Sequence, residues 1–459
     1  MLSKQDNETL CRVGPGTPMG NLMRQYWIPA LISSELAAPD YPPLRLRLLG
    51  ENLIAFRVTS GAAGIVADAC PHRGASLFFG RNEEDGLRCV YHGWKFDVSG
   101  ACVDMPSEPA ESNFKAKVRA SAYPCIERNG IIWTYMGPRP APPPLPEIEA
   151  NLAAESGVMK TLRECNWMQA LEGDIDTSHL GFLHLGAVTP EQSTPGSFDY
   201  YNVADRSPRY DVIDTPFGTS YGAYRPAEPD TTYWRVANFL FPFYTMIPTG
   251  TLGVLISTRA WVPLDDEHVM YWGISARRNQ PQAPTQGATN TPTGRPLNAV
   301  GRATGRPANA AGRASGFLPD TTAWLGRFRL VQNRENDYLI DREAQRKRES
   351  YTGIAGIPQQ DQAVTESMGR VYDRSHEHLG TSDAMIIRTR RRLIRAAEAL
   401  QDSGETPPAV DAPEVYRTRS GSVILPRGVD WLKATEHMRW PKVEAGEPVA
   451  LATAARQAQ

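Results

Sequence analysis

Two histidines, His179 and His184, lie close together in the stretch Asn166–His184, with Asp176 three residues before the first. Two neutral imidazoles and one carboxylate form the ligand face that holds non-haem Fe(II) and leaves positions open for O2. Asp176 and His179 would share one face of an α-helix, but residues five apart lie about 140° apart around it. Both histidines can reach one metal only if the helix changes, so we predict a π-type bulge or a helix end near Gly181. The alternative is a chance proximity of two of the eight histidines.

A second group of ligand-type residues lies earlier in the chain, as Cys70-Pro-His72 and then Cys89-Val-Tyr-His92. Two cysteines and two histidines could bind zinc, or a [2Fe–2S] cluster of the Rieske type with two Cys on one iron and two His on the other. Flanking prolines and glycines would let two loops fold back, each presenting one Cys and one His. A structural zinc ribbon more often uses C-x-x-C on both loops, so we favour the cluster. Each bound histidine keeps one ring N–H, which makes the reduced cluster a coupled source of an electron and a proton.

The carboxylate that would complete the iron site has candidates in two later segments. The stretch Asp320–Arg348 is predicted to be a helix, capped by Asp320 or a nearby threonine. Its acids are interleaved with arginines, as on a solvated face, and are Glu335, Asp337, Asp341 and Glu343. A second, short helix is predicted to begin near Pro358, and it contains Asp361. Spacing alone ranks Asp361 level with Asp337.

Length and composition are those of an ordinary globular protein. The 459 residues exceed what one core normally holds, so at least two domains are expected. Hydrophobic residues make up 41%, charged residues 22%, and the net charge is −2, which gives no nucleic-acid or membrane footprint. We see no apolar signal region and no apolar run of about 18 residues, so we expect neither a signal peptide nor a transmembrane helix. The six sparse cysteines fit a reducing cytoplasm.

The pattern of elements predicts an α+β fold in three parts. Residues 1–40, with a short helix around 20–26, form an N-terminal segment that packs on the last domain. Residues 41–150 form a small all-β domain that carries the Cys–His loops and ends in a Pro-rich connector. Residues 151–459 form the domain that carries the iron site.

This last domain combines an antiparallel sheet, predicted within 198–275, with flanking helices. A strongly amphipathic helix near its end has a basic face, which we expect to be solvated. Residues 279–316 are poor in large apolar side chains and repeat Gly-Arg, so we predict a surface loop in preference to a flexible lid. The Ala- and Gln-rich end from about residue 446 is predicted to fray.

Side chains of the predicted sheet include candidates for a substrate pocket. Most of its aromatic residues are expected to form core, but a minority could line a pocket for a flat substrate: Phe239, Phe241, Phe243 and Met246. An acidic substrate needs a cation, for which arginine is suited. The arginines in this region are Arg209, Arg225, Arg235 and Arg259. From these sets we select Arg209, Arg235 and Phe241 as candidates for substrate binding.

Several of these stretches together resemble the oxygenase (alpha) component of the Rieske non-haem iron oxygenases. The motif C-P-H-R-G-A followed by C-x-Y-H-G-W-x-F is typical of their Rieske domain. The motifs N-W-x-Q-x-L-E-G-D-I-D-T-S-H-x-x-F-L-H, N-D-Y-L-I-D-R-E-A-Q and Q-D-Q-A-V-T-E-S-M-G resemble the phthalate dioxygenase branch. The resemblance covers most of the chain and implies a catalytic domain of the helix-grip type. The Gly-Arg-rich segment matches none of these motifs.

The resemblance implies roles for the ligand-type residues. The [2Fe–2S] cluster would be held by Cys70, His72, Cys89 and His92. The family places its third iron ligand at an Asp followed five residues later by Glu, a pattern formed here by Asp361 and Glu366. It therefore favours Asp361 over Asp337, and Fe(II) would be held by His179, His184 and Asp361.

The resemblance also implies partners. Asp176 would hydrogen-bond both His179 and a neighbouring chain's His92, which implies a homotrimer or stacked trimers closed head to tail. Since no flavin or nicotinamide motif is visible, a separate NAD(P)H-dependent reductase with a flavin and an iron–sulfur centre would supply electrons.

The implied activity is dihydroxylation of an aromatic carboxylate, phthalate-like or benzoate-like, with O2. The first alternative is oxidative O- or N-dealkylation, or ether cleavage, of an aryl substrate, because the metal chemistry is the same. Two alternatives lie outside catalysis: a Rieske electron carrier without activity and a zinc-stapled binding protein.

Overall fold

The computed structural model describes residues 2–109, 111–153, 156–277 and 316–441. These residues form the predicted α+β fold, with antiparallel sheets and flanking helices. The predictions for the Gly-Arg-rich segment, apart from its last residue, and for the chain end beyond residue 446 lie outside the described residues. None of the described helices is long and apolar enough to cross a lipid bilayer.

The described residues from 27 to 135 form small antiparallel sheets. Their strands are β1 (Trp27–Ile32), β2 (Leu44–Leu48), β3 (Glu51–Arg57), β4 (Ala63–Ala67), β5 (Arg81–Glu83), β6 (Gly86–Arg88), β7 (Lys95–Phe96), β8 (Cys102–Asp104), β9 (Ala122–Tyr123), β10 (Cys125–Arg128) and β11 (Ile131–Tyr135). The strand orders are β2-β3-β4-β9, β5-β6-β7-β8 and β1-β11-β10. A compact core that includes Phe56, Leu87 and Phe96 also contains Cys70 and Cys89. The loops that carry the four Cys and His residues therefore rest on a hydrophobic core of their own.

A larger antiparallel sheet forms the second half of the chain. Its strands are β12 (Ser156–Arg163), β13 (Arg209–Thr215), β14 (Gly218–Pro226), β15 (Thr231–Leu240), β16 (Tyr244–Met246), β17 (Leu255–Pro263), β18 (Val269–Arg277) and β19 (Gly421–Pro426). The order is β12-β18-β17-β16-β15-β14-β13, and β19 pairs with β15. The aromatic candidates Phe239, Phe241 and Phe243 are fully buried in the main core.

The helices are α1 (Lys4–Cys11), α2 (Pro18–Arg24), α3 (Glu149–Leu152), α4 (Trp167–Ile175), α5 (Phe198–Ala204), α6 (Arg342–Arg346), α7 (Ile357–Ser367), α8 (Ala384–Ser403) and α9 (Trp431–Arg439). The N-terminal α1 and α2 contact α8, and the Trp167 indole N–H donates to the Leu10 carbonyl at 3.2 Å. In the same segment β1 pairs with β11. Residues 1–40 thus contact both halves of the chain, and the exact domain limits stay a prediction.

The predicted helix across Asp320–Arg348 is wrong, since only α6 within it is α-helical. Asp320 accepts from the Phe328 amide at 3.2 Å and so closes a loop where we expected a helix cap. Arg327 reaches away to pair with Glu35 of the N-terminal segment. Asp337 has a φ of +48°, which is not compatible with an α-helix. Long-range contacts therefore override the local helical preference of this charged stretch.

The sequence predicts a solvated basic face on α8, and this prediction is only partly correct. Arg390 is 3% exposed and pairs with Glu172 and Glu377. The α7 helix agrees with its prediction, because Pro358 lies in its first turn.

Candidate active site

Two loops with the same backbone pattern present the four residues proposed for the cluster. In each loop the cysteine amide donates to the carbonyl five residues later, at 2.8 Å in both. In each, a glycine amide donates back to the cysteine carbonyl, Gly74 to Cys70 at 2.9 Å and Gly93 to Cys89 at 3.0 Å. Gly74 and Gly93 have φ values of +74° and +77°, which glycine adopts without strain. The matched turns direct one Cys and one His from each loop.

The side chains on these loops have the chemistry that two irons require. The rings of His72 and His92 lie 4.4 Å apart between centroids, and His72 stacks on Trp94 at 4.3 Å. The Nδ1 atom of each histidine is buried without a hydrogen-bond partner in the described part of the chain. Cys70 and Cys89 are 2% and 3% exposed. Buried ring nitrogens normally have partners, so these orphaned atoms and two buried thiols fit a cluster held by two Cys and two His.

The helix that leads to His179, the first candidate iron ligand, ends earlier than we predicted. Asn166 caps the start of α4, and the helix ends at Ile175. Asp176 then accepts from the Ser178 amide at 2.7 Å and from its hydroxyl at 2.6 Å, so a side chain replaces the helical partner. Asp176 and His179 therefore do not share a helix face. The residues after Asp176 form a separate turn.

The backbone between the two histidines is distorted as their spacing demands. A short 3-10 helix spans His179–Gly181. The Leu185 amide then donates to the Leu180 carbonyl at 3.1 Å, five residues back, which is the hydrogen bond of a π-helix. The helical winding therefore changes near Gly181, as predicted. With this change both imidazole rings are directed to the same place.

Three ligand-type atoms meet at this point. The Nε2 atoms of His179 and His184 are 3.2 Å apart, and Oδ1 of Asp361 lies 3.1 Å from His184 and 3.6 Å from His179. Two ligands at right angles on bonds of about 2.1 Å would lie about 3 Å apart. The triangle therefore fits one metal ion with an open opposite face. Asp337, the rival candidate, is exposed and is not among these atoms.

The two carboxylates near the histidines, Asp361 and Asp176, both have a lowered pKa. Burial opposes the charged form of Asp361, but His184 and His179 hold its pKa below the usual value. Burial likewise opposes the charge on Asp176, and its contacts with His179 and Ser178 outweigh that effect and lower its pKa. Both acids are thus ionised at neutral pH, as a metal ligand and a hydrogen-bond acceptor must be.

Anchors on the two sides of α4 fix these groups relative to the sheet. Asp174 accepts from the Thr245 hydroxyl and the Trp261 indole, both at 2.7 Å, and pairs with Arg259. Arg259, a candidate for substrate binding by position, is therefore already paired. On the other side Glu172 binds Arg374 and Arg390.

One face of the sheet presents two further arginines close to the iron site. Arg225 is opposite Tyr233 in the β14–β15 register, and Arg235 follows Tyr233 by two residues, so the three share a face. Tyr210 on β13 and Arg235 both oppose Ala223, and Tyr221 lies two residues from it. Thr245 and Arg259, which hold α4, lie in the row of Phe239 on the same face. Helix α4 and the side chains of the two arginines therefore lie on the same side of the sheet.

Neither of these two buried arginines has a carboxylate partner within the described residues, although buried cations normally have one. Arg225 and Arg235 are 2% and 3% exposed, and neither forms an ion pair within the described ranges. Nε of both and Nη1 of Arg235 have no hydrogen-bond partner there, although Arg225 donates to Asn202 at 2.5 Å. Burial, followed by the charge of Arg235, lowers the pKa of Arg225 to about 10, so it remains cationic at neutral pH. The Arg235 guanidinium also lies 4.4 Å from the ring centroid of Phe198, so each arginine has a neutral contact but no carboxylate partner among the described residues.

Three tyrosines join the two arginines in a buried polar group on this face, which we name the polar pocket and define by Arg225, Arg235, Tyr210, Tyr221 and Tyr233. Their hydroxyl groups are buried: those of Tyr210 and Tyr221 lie near the side chains of Ser178 and Thr177, and that of Tyr233 has no hydrogen-bond partner in the described residues. The pKa values of Tyr210 and Tyr221 are raised, first by burial and also by the charge of Asp176. The pocket therefore adjoins the residue that touches His179.

The structure treats the selected substrate candidates differently. Arg235 faces the polar pocket, whereas Arg209 is exposed on the edge strand. The Phe241 side chain lies in the core, and the backbone carbonyl of Phe241 accepts a hydrogen bond from the Tyr416 hydroxyl at 2.7 Å. Sequence reasoning missed Asp174 and the tyrosines of the pocket, and it did not select Arg225. Alternation along β14 could have indicated that Tyr221 and Arg225 share a face, but not that Arg225 has no carboxylate partner in the described residues.

Comparisons with known proteins agree with this architecture. The model of the Rieske [2Fe–2S] domain matches residues 26–123, and the model described as LigXa C-terminal domain like matches residues 134–290 and 323–451. The 3-chlorobenzoate-3,4-dioxygenase oxygenase subunit of Comamonas testosteroni is 46% identical over 95% of this chain and 98% of its own. The phthalate 4,5-dioxygenase oxygenase subunit of Pseudomonas putida is 36% identical over 94% of each chain.

More distant similarities extend the comparison. The 5,5'-dehydrodivanillate O-demethylase oxygenase subunit of Sphingobium sp. (strain NBRC 103272 / SYK-6) is 30% identical over 89% of this chain and 84% of its own. The crystal structure of dicamba monooxygenase bound to dicamba has the same fold, with a TM-score of 0.52, 17% identity, and coverage of 83% of this chain and 99% of that one.

The chain belongs to the Rieske-type aromatic ring-hydroxylating oxygenases, oxidoreductases that use O2, and within them to the phthalate dioxygenase branch. The cofactors of this family are a Rieske [2Fe–2S] cluster and a mononuclear iron in the catalytic domain. The orphaned histidine nitrogens and the His–His–Asp triangle fit these two groups.

Proposed function

We propose that this protein is the oxygenase component of a multicomponent system that dihydroxylates an aromatic carboxylate with O2. The observation that carries the proposal is the pair of buried guanidiniums of Arg225 and Arg235, which form no ion pair in the described residues and share a sheet face with Tyr221, a neighbour of Asp176. Arginine binds a carboxylate through two parallel hydrogen bonds, and such charge-assisted bonds are strong where water is excluded. The names of the 3-chlorobenzoate and phthalate dioxygenase relatives support an acid as substrate.

In this proposal each group of residues has one task. The cluster is held by Cys70, His72, Cys89 and His92, and Fe(II) by His179, His184 and Asp361. The two metals supply electron transfer and O2 activation when they are bound. Arg225 and Arg235 hold the substrate carboxylate, and the pocket tyrosines donate hydrogen bonds to it. This fixes which carbon atoms of the ring face the open side of the triangle.

We further propose that the active site is completed between subunits of a homotrimer or of stacked trimers. Asp176 would accept from His92 of the partner subunit and so join the two metal centres. Exposed apolar side chains support such a contact, because Val90 and Tyr91 next to His92 are 58% and 55% exposed. Beside the triangle, Phe182 is 55% exposed. Adjacent exposed apolar side chains such as Val90 and Tyr91 can form part of an interface patch, although single exposed ones are common on any surface.

Electrons would come from an NAD(P)H-dependent reductase that carries a flavin and an iron–sulfur centre. The alternative function is oxidative O- or N-dealkylation or ether cleavage of an aryl substrate. It is favoured by the O-demethylase relative at 30% identity. A Rieske electron carrier without catalysis is a third possibility, and the closed triangle of three ligand atoms speaks against it.

The role of the two arginines can be tested by calorimetric binding of 3-chlorobenzoate, phthalate and 3-chlorobenzamide. We expect wild-type protein to bind an acid and to discriminate against the neutral amide. Arg225→Met and Arg235→Met should each weaken acid binding by about 10- to 100-fold, since a charge-assisted hydrogen bond contributes about 1.5–3 kcal/mol. Arg209→Met is the matched control, because Arg209 is exposed on the neighbouring strand. Equal acid affinity in all four proteins would contradict the role of the two arginines, and equal wild-type affinity for acid and amide would contradict the proposed substrate class.

A further inference from the structure

Gln360 contacts the iron-site histidine that the bridging aspartate does not reach. It precedes Asp361 on α7 and is 9% exposed. Its Oε1 atom lies 2.7 Å from Nδ1 of His184, whose side chain is 2% exposed. One turn of α7 thus presents a carboxylate to the triangle and an amide to the far side of a histidine in the same triangle.

The second contact of the Gln360 amide fixes its orientation. Its Nε2 donates to the Ile354 carbonyl at 2.9 Å. A carbonyl only accepts hydrogen bonds, so the nitrogen of the amide must face Ile354 and the oxygen must face His184. An oxygen acceptor at 2.7 Å requires that Nδ1 of His184 carry the proton. The lone pair of this imidazole then lies on Nε2, which points to Asp361 and His179.

The two histidines of the triangle differ in what faces their second nitrogen. For His179 the group is the carboxylate of Asp176, with Oδ2 3.5 Å from Nδ1. For His184 it is the neutral amide of Gln360. A carboxylate partner strengthens the basicity of an imidazole more than an amide does, so the pair is chemically unequal. Gln360 fixes the tautomer without adding a second negative charge.

We propose that Gln360 is a positioning residue that holds His184 in the tautomer and ring orientation needed to bind the mononuclear iron. This inference rests on the proposed iron site of His179, His184 and Asp361. It predicts that loss of the amide weakens metal binding even though Gln360 does not touch the metal.

The test is the affinity of the mononuclear site for Fe(II). Protein stripped of mononuclear iron, with its cluster retained, is titrated anaerobically with Fe(II) in competition with a coloured chelator. Gln360→Met removes the acceptor at nearly constant length and should weaken binding by about 10- to 100-fold. Gln360→Glu keeps an oxygen acceptor and should bind within a few-fold of wild type. Gln362→Met is the matched control, since Gln362 is a buried amide of the same helix that donates to Glu366 at 3.0 Å.

The cluster spectrum and the melting temperature report folding in every variant. Equal weakening by Gln360→Met and Gln362→Met, or no weakening by Gln360→Met, would overturn the inference. If Gln360→Met does not fold, Co(II)-loaded wild-type protein decides by proton NMR. Two exchangeable ring N–H signals shifted by the cobalt are expected, one from each histidine, and a single signal would overturn the inference.

Asp361→Ala, titrated in parallel, separates this inference from the iron site on which it rests. If wild type and Asp361→Ala bind Fe(II) equally, the triangle is not the iron site and both proposals fail. If Asp361→Ala alone loses binding while Gln360→Met does not, only the role of Gln360 fails.

Discussion

Asp176 makes several contacts from a single carboxylate at the end of α4. Its Oδ1 binds Ser178, and its Oδ2 faces the ring of His179 at 3.5 Å. Its side chain is 22% exposed, and although burial opposes its charge, contacts with His179 and Ser178 lower its pKa and keep it ionised at neutral pH. A carboxylate in this position can accept a hydrogen bond from a donor outside the subunit, which is the basis of the proposed link to the partner's cluster.

We expect Asp176→Asn to keep both metals and to lose nearly all turnover, by about 100-fold. The amide keeps the size of the side chain but not its charge, so the link between the centres is weakened without loss of the fold. Iron analysis, the cluster spectrum and single-turnover rates would measure this. Activity within a few-fold of wild type would show that the bridging role is wrong.

As candidates for the third iron ligand, Asp361 and Asp337 are equal by sequence spacing, but their surroundings in the structure differ. Asp361 lies on α7, which packs on α4, whereas Asp337 is exposed on a turn with positive φ. This difference could not be predicted from local sequence, because spacing alone ranks the two acids level and it is the long-range packing of α7 on α4 that separates them. The resemblance, which favoured Asp361, contained that information indirectly.

We expect Asp361→Ala to lose the mononuclear iron and to retain the cluster. Asp337→Ala is the control and should retain both. Metal analysis by mass spectrometry together with the cluster absorbance measures the two centres separately. Retention of iron in Asp361→Ala, with loss of iron in Asp337→Ala, would assign the third iron ligand to Asp337.

At the scale of elements, α4 is the helix on which the site depends. Asp174 attaches it to the sheet through Thr245 and Trp261, and Glu172 attaches it to the far side through Arg374 and Arg390. Burial opposes the charge of Glu172, but Arg374 and Arg390 outweigh it and lower its pKa. A group with a lowered folded-state pKa stabilises the fold above its unfolded pKa, and the contribution is lost as pH falls through the folded pKa.

Glu172→Gln should therefore reduce the free energy of unfolding at neutral pH by about 3–5 kcal/mol, because it leaves two buried guanidiniums with one acid fewer. The difference from wild type should shrink as the pH falls below the usual range of a glutamate. Glu343→Gln, which breaks an exposed pair with Arg346, should leave stability nearly unchanged. Denaturant unfolding at several pH values measures all three proteins. A constant difference at all pH values would contradict the assigned role.

The elements differ in how far local sequence determines them. The matched Cys–His loops, the break between His179 and His184 and the start of α7 at Pro358 all follow from spacing, proline or glycine. The stretch Asp320–Arg348 does not, because Arg327 and its neighbours are held by the N-terminal segment. The polar pocket depends on the register of β13, β14 and β15, and a register shift of one residue would turn each of its side chains to the other face.

At the scale of the whole molecule, the two proposed metal centres belong to different cores. Cys70 and Cys89 are part of the small core of the Rieske domain, while Trp167 and Leu171 of α4 are part of the main core. Each centre is thus built by its own half of the chain. The exposed Val90 and Tyr91 lie beside His92, the proposed cluster ligand, and this exposed segment would bring the cluster close to another surface in the proposed assembly. A trimer closed head to tail would let each cluster serve the iron of a neighbour.

The most direct test of the proposed activity is the mass of the product formed from 18-O-labelled O2. The protein would be supplied with a reductase, NADH and a panel of benzoates, phthalates and methoxybenzoates. We predict two labelled oxygen atoms in one ring-dihydroxylated acid. Formaldehyde with a free phenol, and no dihydroxylated acid from any member of the panel, would contradict dihydroxylation and establish demethylation in its place.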